Sequence, residues 1–236
     1  MKTTTKQLAI WCIAALIAAG LGSCKKDPID SLNKDSFENT VWKFVKQERL
    51  DKDENKWKIN SEYTGIIPSD TFQFYAGKQM RVSTDFPYTF DPATKIIIWA
   101  STQYKVVELN SSRLVYEFSF MESKLRNTCQ KIAPLTSSQL LGKWEITGRE
   151  RNINKDNWET TGIEKGYWLK FESGGKGTNS RGDACNYTVT GNIVDIKCIY
   201  GRSFVVEITD DKLVFVHQNK NPASSYFKET FKRIEK

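Results

Sequence analysis

Residues able to carry chemistry are sparse in this chain, and their types exclude more than they suggest. Histidine occurs once, at His217, so there is no His-x-x-x-His metal pair and no Ser/His/Asp set within the first half of the chain. Around an Asp210-Asp211 turn, strict alternation puts His217 on an inward strand face opposite Phe204, which makes it a cavity-lining or core histidine rather than a catalytic base. Ser173-Gly174-Gly175-Lys176-Gly177 lacks the Gly-Lys-Ser/Thr ending of a phosphate loop and lies between strand patterns, so it reads as a hairpin connection. Arg181-Gly182-Asp183 is a three-residue adhesion-type motif that carries little information by itself. Trp57, Trp99, Trp158 and Trp168 could stack on a sugar or line an apolar cavity, or serve as ordinary core. The inventory predicts no enzyme, no metal site and no cofactor.

Five cysteines are more informative. Cys12 and Cys24 belong to the N-terminal apolar region, leaving Cys129, Cys185 and Cys198. Counting outward from a Gly191-Asn192 turn pairs Thr190 with Ile193, Val189 with Val194, Tyr187 with Ile196, and Cys185 with Cys198. The cysteine pair then falls at a non-hydrogen-bonded position, where antiparallel chains approach most closely. A cross-strand disulfide fits there; two buried thiols are the alternative. Cys129 remains a buried thiol.

The elements that position these residues have a period of two and occur twice. Trp42-Lys43-Phe44-Val45 lies over Trp144-Glu145-Ile146-Thr147, Lys56-Trp57 over Asn157-Trp158, Tyr88-Thr89-Phe90 over Tyr187-Thr188-Val189, and Val106-Val107-Glu108-Leu109 over Val205-Val206-Glu207-Ile208. Leu114-Val115-Tyr116 and Lys131-Ile132 match Leu213-Val214-Phe215 and Arg233-Ile234. The near-constant offset of about 100 residues predicts two copies of one fold, residues 36–134 and 135–236, with the boundary at Ala133-Pro134-Leu135. Alternation pairs Ile208 with Leu213, Val206 with Phe215 and Phe204 with His217. In the first copy it pairs Leu109 with Leu114, Val107 with Tyr116 and Lys105 with Phe118. Eight or so short antiparallel strands per copy, without a long helical window, predict an all-β chain.

Upstream, Lys2 and Lys6 precede an apolar run from Leu8 to Leu21 that is too short to span a bilayer. Leu21-Gly22-Ser23-Cys24 resembles the lipobox of bacterial lipoproteins. That resemblance implies a signal peptide over residues 1–23, acylation of Cys24 with chains such as palmitate, and a membrane-lipid anchor at the outer membrane. Residues 24–35 read as a polar tether. Its Lys25-Lys26-Asp27 is similar to a surface-export signal, which leaves both the periplasmic and the cell-surface face open. Loss of the signal takes the formal charge from +7 to +5. The two copies carry about +2 and +3 with no basic run, which excludes nucleic-acid tracking.

Gly142-Lys143-Trp144 resembles the Gly-x-Trp motif that opens lipocalin barrels, and Arg233 matches the last-strand arginine that stacks on that tryptophan. The first copy keeps Trp42 but has Thr40 for the glycine and Lys131 for the arginine. The resemblance to the lipocalin-like domains of bacterial lipoproteins implies two tandem up-and-down barrels with Trp42, Gly142, Trp144 and Arg233 at their closed ends. Two β-sandwiches are the alternative. In a barrel, Phe204, Val206, Phe215 and His217 are expected to line the lumen. The chain then reads as a lipid-anchored envelope protein holding a small apolar ligand, or as an interaction lipoprotein with filled barrels that binds an envelope protein or glycan through its loops.

Overall fold

A computed structural model describes residues 32–62, 71–81, 84–154, 157–198, 201–218 and 226–236. Cys24, with the rest of residues 1–31, therefore lies outside the described residues. The chain is all-β and forms two tandem antiparallel barrels, each with eight strands on its path. The first is built from β1 (Thr40–Asp51), β2 (Lys56–Glu62), β3 (Thr71–Tyr75), β4 (Lys78–Met80), β5 (Asp85–Asp91), β6 (Ile96–Trp99), β7 (Thr102–Leu109), β8 (Arg113–Phe120) and β9 (Ser123–Ile132). β1 pairs with both β3 and β9, which closes the barrel and leaves β2 as a flap on the long β1.

The second comprises β10 (Gly142–Asn154), β11 (Asn157–Thr160), β12 (Trp168–Glu172), β13 (Lys176–Asn179), β14 (Tyr187–Thr190), β15 (Ile193–Ile196), β16 (Gly201–Ile208), β17 (Lys212–Gln218) and β18 (Tyr226–Glu235). Strand for strand it repeats the first, but its seam between β13 and β14 is joined only by the Thr178–Ala184 bridge. The backbone at the seam is tight: Gly177 passes so close to the carbonyls of Lys170 and Cys185 that a Cβ there would lie 2.6 and 2.8 Å from them. Sandwich packing is thereby replaced by closure around a single lumen in each copy.

Both copies carry the same two β-bulges. One falls between Phe44 and Lys46 and between Ile146 and Gly148; the other between Val106 and Glu108 and between Val205 and Glu207. The second bulge corrects the register read from alternation. Ile208 faces Leu213 as expected, but beyond Val206 the pairs become Val205 with Phe215, Phe204 with Val216 and Ser203 with His217. In the first copy Val106 faces Tyr116 and Lys105 faces Glu117. A bulge adds one residue to one strand, so everything beyond it moves to the opposite face. Phe204-Val205-Val206 is apolar on both faces and gives no sign of the slip.

That slip builds the contact between the barrels. Phe204 and Ile193, on the outside of the second barrel, are buried against Val41 of the first, with Tyr75, Met80, Ile132 and Val206 around them. Gln73 Nε2 donates to the Thr190 carbonyl at 2.6 Å, and the Asn192 amide donates to Gln73 Oε1 at 2.9 Å. Gly191, at φ +59°, is required here, because a side chain would collide with the Gln73 amide and the Tyr75 ring. At the other end of the barrels, Arg202 forks onto Asp85 at 2.6 and 3.0 Å and also donates to the Arg81 carbonyl. The barrels thus stand side by side, base beside base and mouth beside mouth.

Candidate functional site

The bases are built around the two paired tryptophans. Trp144 is fully buried and donates its indole N–H to the Leu140 carbonyl at 2.7 Å, in the short helix Ser137–Leu140. The Arg233 guanidinium lies 4.0 Å from the Trp144 ring centroid and hydrogen-bonds the carbonyls of Gln139, Leu141 and Asp210. Gly142 sits at φ +115° against Arg233 and the Glu235 backbone, a place for no side chain. In the first barrel Trp42 donates to Thr40 Oγ1, which itself donates to the Phe37 carbonyl, and Lys131 lies 5.9 Å over the ring. Leu32 and Phe37 pack into the core at this end, so the chain enters the fold at the base.

Above the base, the first lumen is aromatic. Phe37, Phe44, Phe72, Phe74, Tyr88, Trp99 and Tyr116 are buried there. Trp99 stacks on Tyr104 with centroids 3.8 Å apart, and Tyr104 meets Phe118 at 5.2 Å. At mid-height two amides meet: Gln47 donates to Asn127 at 3.0 Å, and Asn127 donates to the Tyr116 hydroxyl at 3.0 Å. Burial pushes the Cys129 thiol and the Tyr116 hydroxyl well up, so both stay protonated.

The second lumen carries charge at the equivalent level. Glu229 is fully buried and accepts from Arg149 Nε at 2.7 Å and Nη2 at 2.6 Å. His217, also buried, places Nε2 3.8 Å from the same carboxylate and stacks on Phe227. Toward the mouth, a cavity of about 170 Å³ is lined by Ile146, Arg149, Glu164, Tyr167, Asn179, Arg181, Asp183 and Cys198. Burial, and then the Glu229 charge, push the Tyr167 hydroxyl up to about 12. Arg181 pairs with Glu164, and Asn179 bonds Asp183 at 2.9 Å, so the ends of the Arg181-Gly182-Asp183 stretch are tied to the barrel rather than offered as a free loop. Cys185 and Cys198 are joined in a disulfide beside this cavity, with Cα atoms 4.8 Å apart.

The four residues expected to line the lumen therefore separate. Phe215 lies inside, packed between Phe171 and Phe231, and His217 lies inside by Glu229. Phe204 and Val206 point outward into the contact between barrels, because of the bulge at Val206. The enclosed space is polar, not apolar. Arg149, Glu229, Tyr167 and Asn179 escaped the sequence reading; Arg149 and Glu229 lie 80 residues apart in the chain, and only the spacing of Glu229 two residues before Phe231 marks it as inward-facing.

No family model and no curated protein matches the chain. Among solved structures, it is similar to the vaccine antigen transferrin binding protein B from Haemophilus parasuis Hp5, with 11% identity and a TM-score of 0.22 over 81% of this chain and 44% of that one. It is also similar to a protein of unknown function of the DUF3598 family from Nostoc punctiforme PCC 73102, with 9% identity and a TM-score of 0.24 over 91% and 100% of the two chains. Intact Ap-TbpB, with its N and C lobes, gives 11% and 0.23 over 82% and 46%. The chain spans under half the length of both transferrin binding chains.

Proposed function

We propose that the protein is a lipid-anchored, non-catalytic binding protein of the bacterial outer membrane, acylated at Cys24, which captures ligand at two barrel mouths held side by side. One observation carries this reading. The N-terminal segment packs in at the base of the first barrel, and the seam aligns both mouths at the opposite end, away from the anchor. The polar cavity by Tyr167 and Arg149 favours a small polar ligand over the apolar one expected from the strand pattern. The absence of catalysis rests on the single histidine, which is buried beside an ion-paired glutamate.

A second reading, an interaction lipoprotein that binds an envelope protein or glycan, draws on the β8–β9 hairpin tip at the first mouth. There Phe120 and Met121 are 58% and 87% exposed. Native mass spectrometry of a secreted Cys24→Ser chain starting at residue 24 separates the two. A stoichiometric adduct that leaves on denaturation supports the small-ligand reading, whereas a clean mass with stoichiometric recovery of one envelope component by the anchored form supports the other. Loss of palmitate labelling in Cys24→Ser tests the anchor.

A further inference from the structure

The first lumen holds two polar groups that the fold leaves unserved. Gln79 in β4 faces Phe74 and Phe86 across its neighbouring strands, and its side chain is fully buried. Among the described residues neither its Nε2 nor its Oε1 has a hydrogen-bond partner. Burying an amide with both ends unmet is among the costlier arrangements a core can adopt, and such groups call for a missing partner. Two residues nearer the mouth on the same face is Arg81. Its guanidinium lies 5.9 Å from the Phe44 ring centroid, and its charge is felt by the buried Tyr116 hydroxyl and Cys129 thiol, so it reaches into the lumen. Among the described residues no carboxylate pairs with it; the Arg202 bond uses only its backbone carbonyl.

The second barrel shows what a balanced lumen looks like in the same scaffold. There the cation Arg149 meets Glu229, whereas the corresponding pair in the first barrel is Gln47 and Asn127, both neutral. At the places of Gln79 and Arg81 the second barrel has Gly177 and Asn179. Among the described residues the first lumen thus has one cation and no acid beside it, and an unmet donor. At the mouth end its wall is made of Phe86, Tyr104 and Phe118, which are only partly buried.

We propose that the mouth of the first barrel binds an aromatic monocarboxylic acid, its carboxylate on Arg81 and the Gln79 amide and its ring among Phe86, Tyr104 and Phe118. A single guanidinium suits a monoanion; a phosphate dianion would need further cations. Aromatic walls favour a flat apolar body. This deepens the small-ligand reading above and depends on it.

The test is calorimetric titration of the soluble Cys24→Ser chain with 3-phenylpropanoate and, separately, its uncharged amide. Expected is one site per chain for the acid, at least tenfold weaker for the amide, and at least tenfold weaker for the acid in Arg81→Gln and in Gln79→Leu. Gln79→Leu carries a second signature: its ligand-free thermal midpoint rises, since an apolar side chain replaces the unmet amide, so loss of binding there is not loss of fold. Equal binding of acid and amide, no binding of the acid, or unchanged affinity in Arg81→Gln overturns the site. An adduct in the native spectrum that persists in Arg81→Gln would overturn this assignment while leaving the binding reading intact; absence of both adduct and heat would remove both.

Discussion

Arg149 reaches into the second barrel and meets Glu229; at the matching positions of the first barrel Gln47 meets Asn127, and the neighbouring cation, Arg81, meets no acid among the described residues. Around this difference almost everything else is shared: nine strands in the same order, two bulges at the same places, and a base tryptophan under a last-strand cation. Scaffold positions answer to closure and register, which tolerate few alternatives. Lumen positions answer to whatever fills them, and here the copies have separated into an ion-paired lumen with a disulfide and an aromatic lumen with an uncompensated cation. The contrast places the specialisation of each copy in its interior rather than in its fold.

The contrast can be broken by removing one charge. Glu229→Gln leaves Arg149 without its carboxylate and should cost about 4 kcal/mol in urea unfolding, against about 1 kcal/mol for Asn127→Ala, which removes only neutral hydrogen bonds. Similar costs would mean that the two lumens are energetically alike. Next comes the disulfide: Cys185→Ser with Cys198→Ser should lower stability by about 3 kcal/mol and remove the response to reductant, which should lower the parent chain's stability as much, whereas Cys129→Ala should keep the parent's response to reductant. At the bases, Arg233→Ala should cost about 2 kcal/mol because three backbone carbonyls and the Trp144 face lose their partner; Lys131→Ala, with a cation over Trp42 alone, should cost less than about 1 kcal/mol.

The smallest effect is in acid. Burial pulls the Glu117 carboxyl up, but hydrogen bonds and charge from Lys124 and Arg126 outweigh it and hold it below its ordinary range. Its stabilisation is therefore present above the unfolded pKa, about 4.3, and is lost as pH falls through the lower folded value. Thermal midpoints from about pH 6 to pH 3 should show a fall that Glu117→Gln lacks, worth under about 1 kcal/mol, since both cations are partly exposed.

The repeat and the hairpin turns were legible in the residues because each is local or recurs: Gly191-Asn192 sets the Tyr187–Ile196 register with no bulge between, and the tryptophans recur at a fixed offset. The bulge at Val206 was not legible, since Phe204, Val205 and Val206 are all apolar and either face could be the inner one. The Arg149–Glu229 pair joins strands 80 residues apart, and Gln79 looks like any surface glutamine until Phe74 and Phe86 are seen beside it. Residue chemistry was readable; which side of each strand it served was decided by bulges and by the seam.

The apolar seam also sets an order of events. Ile193, Phe204 and Val206 are covered by the first barrel, so a second barrel folded alone would present them as one greasy face to solvent. During synthesis the first repeat emerges earlier and can be complete before Phe204 appears, offering a template on which the later repeat is quenched in cis. Residues 135–236 produced alone should accordingly be prone to self-association, and the first repeat, which exposes Val41, Tyr75, Met80 and Ile132 when alone, should share that tendency.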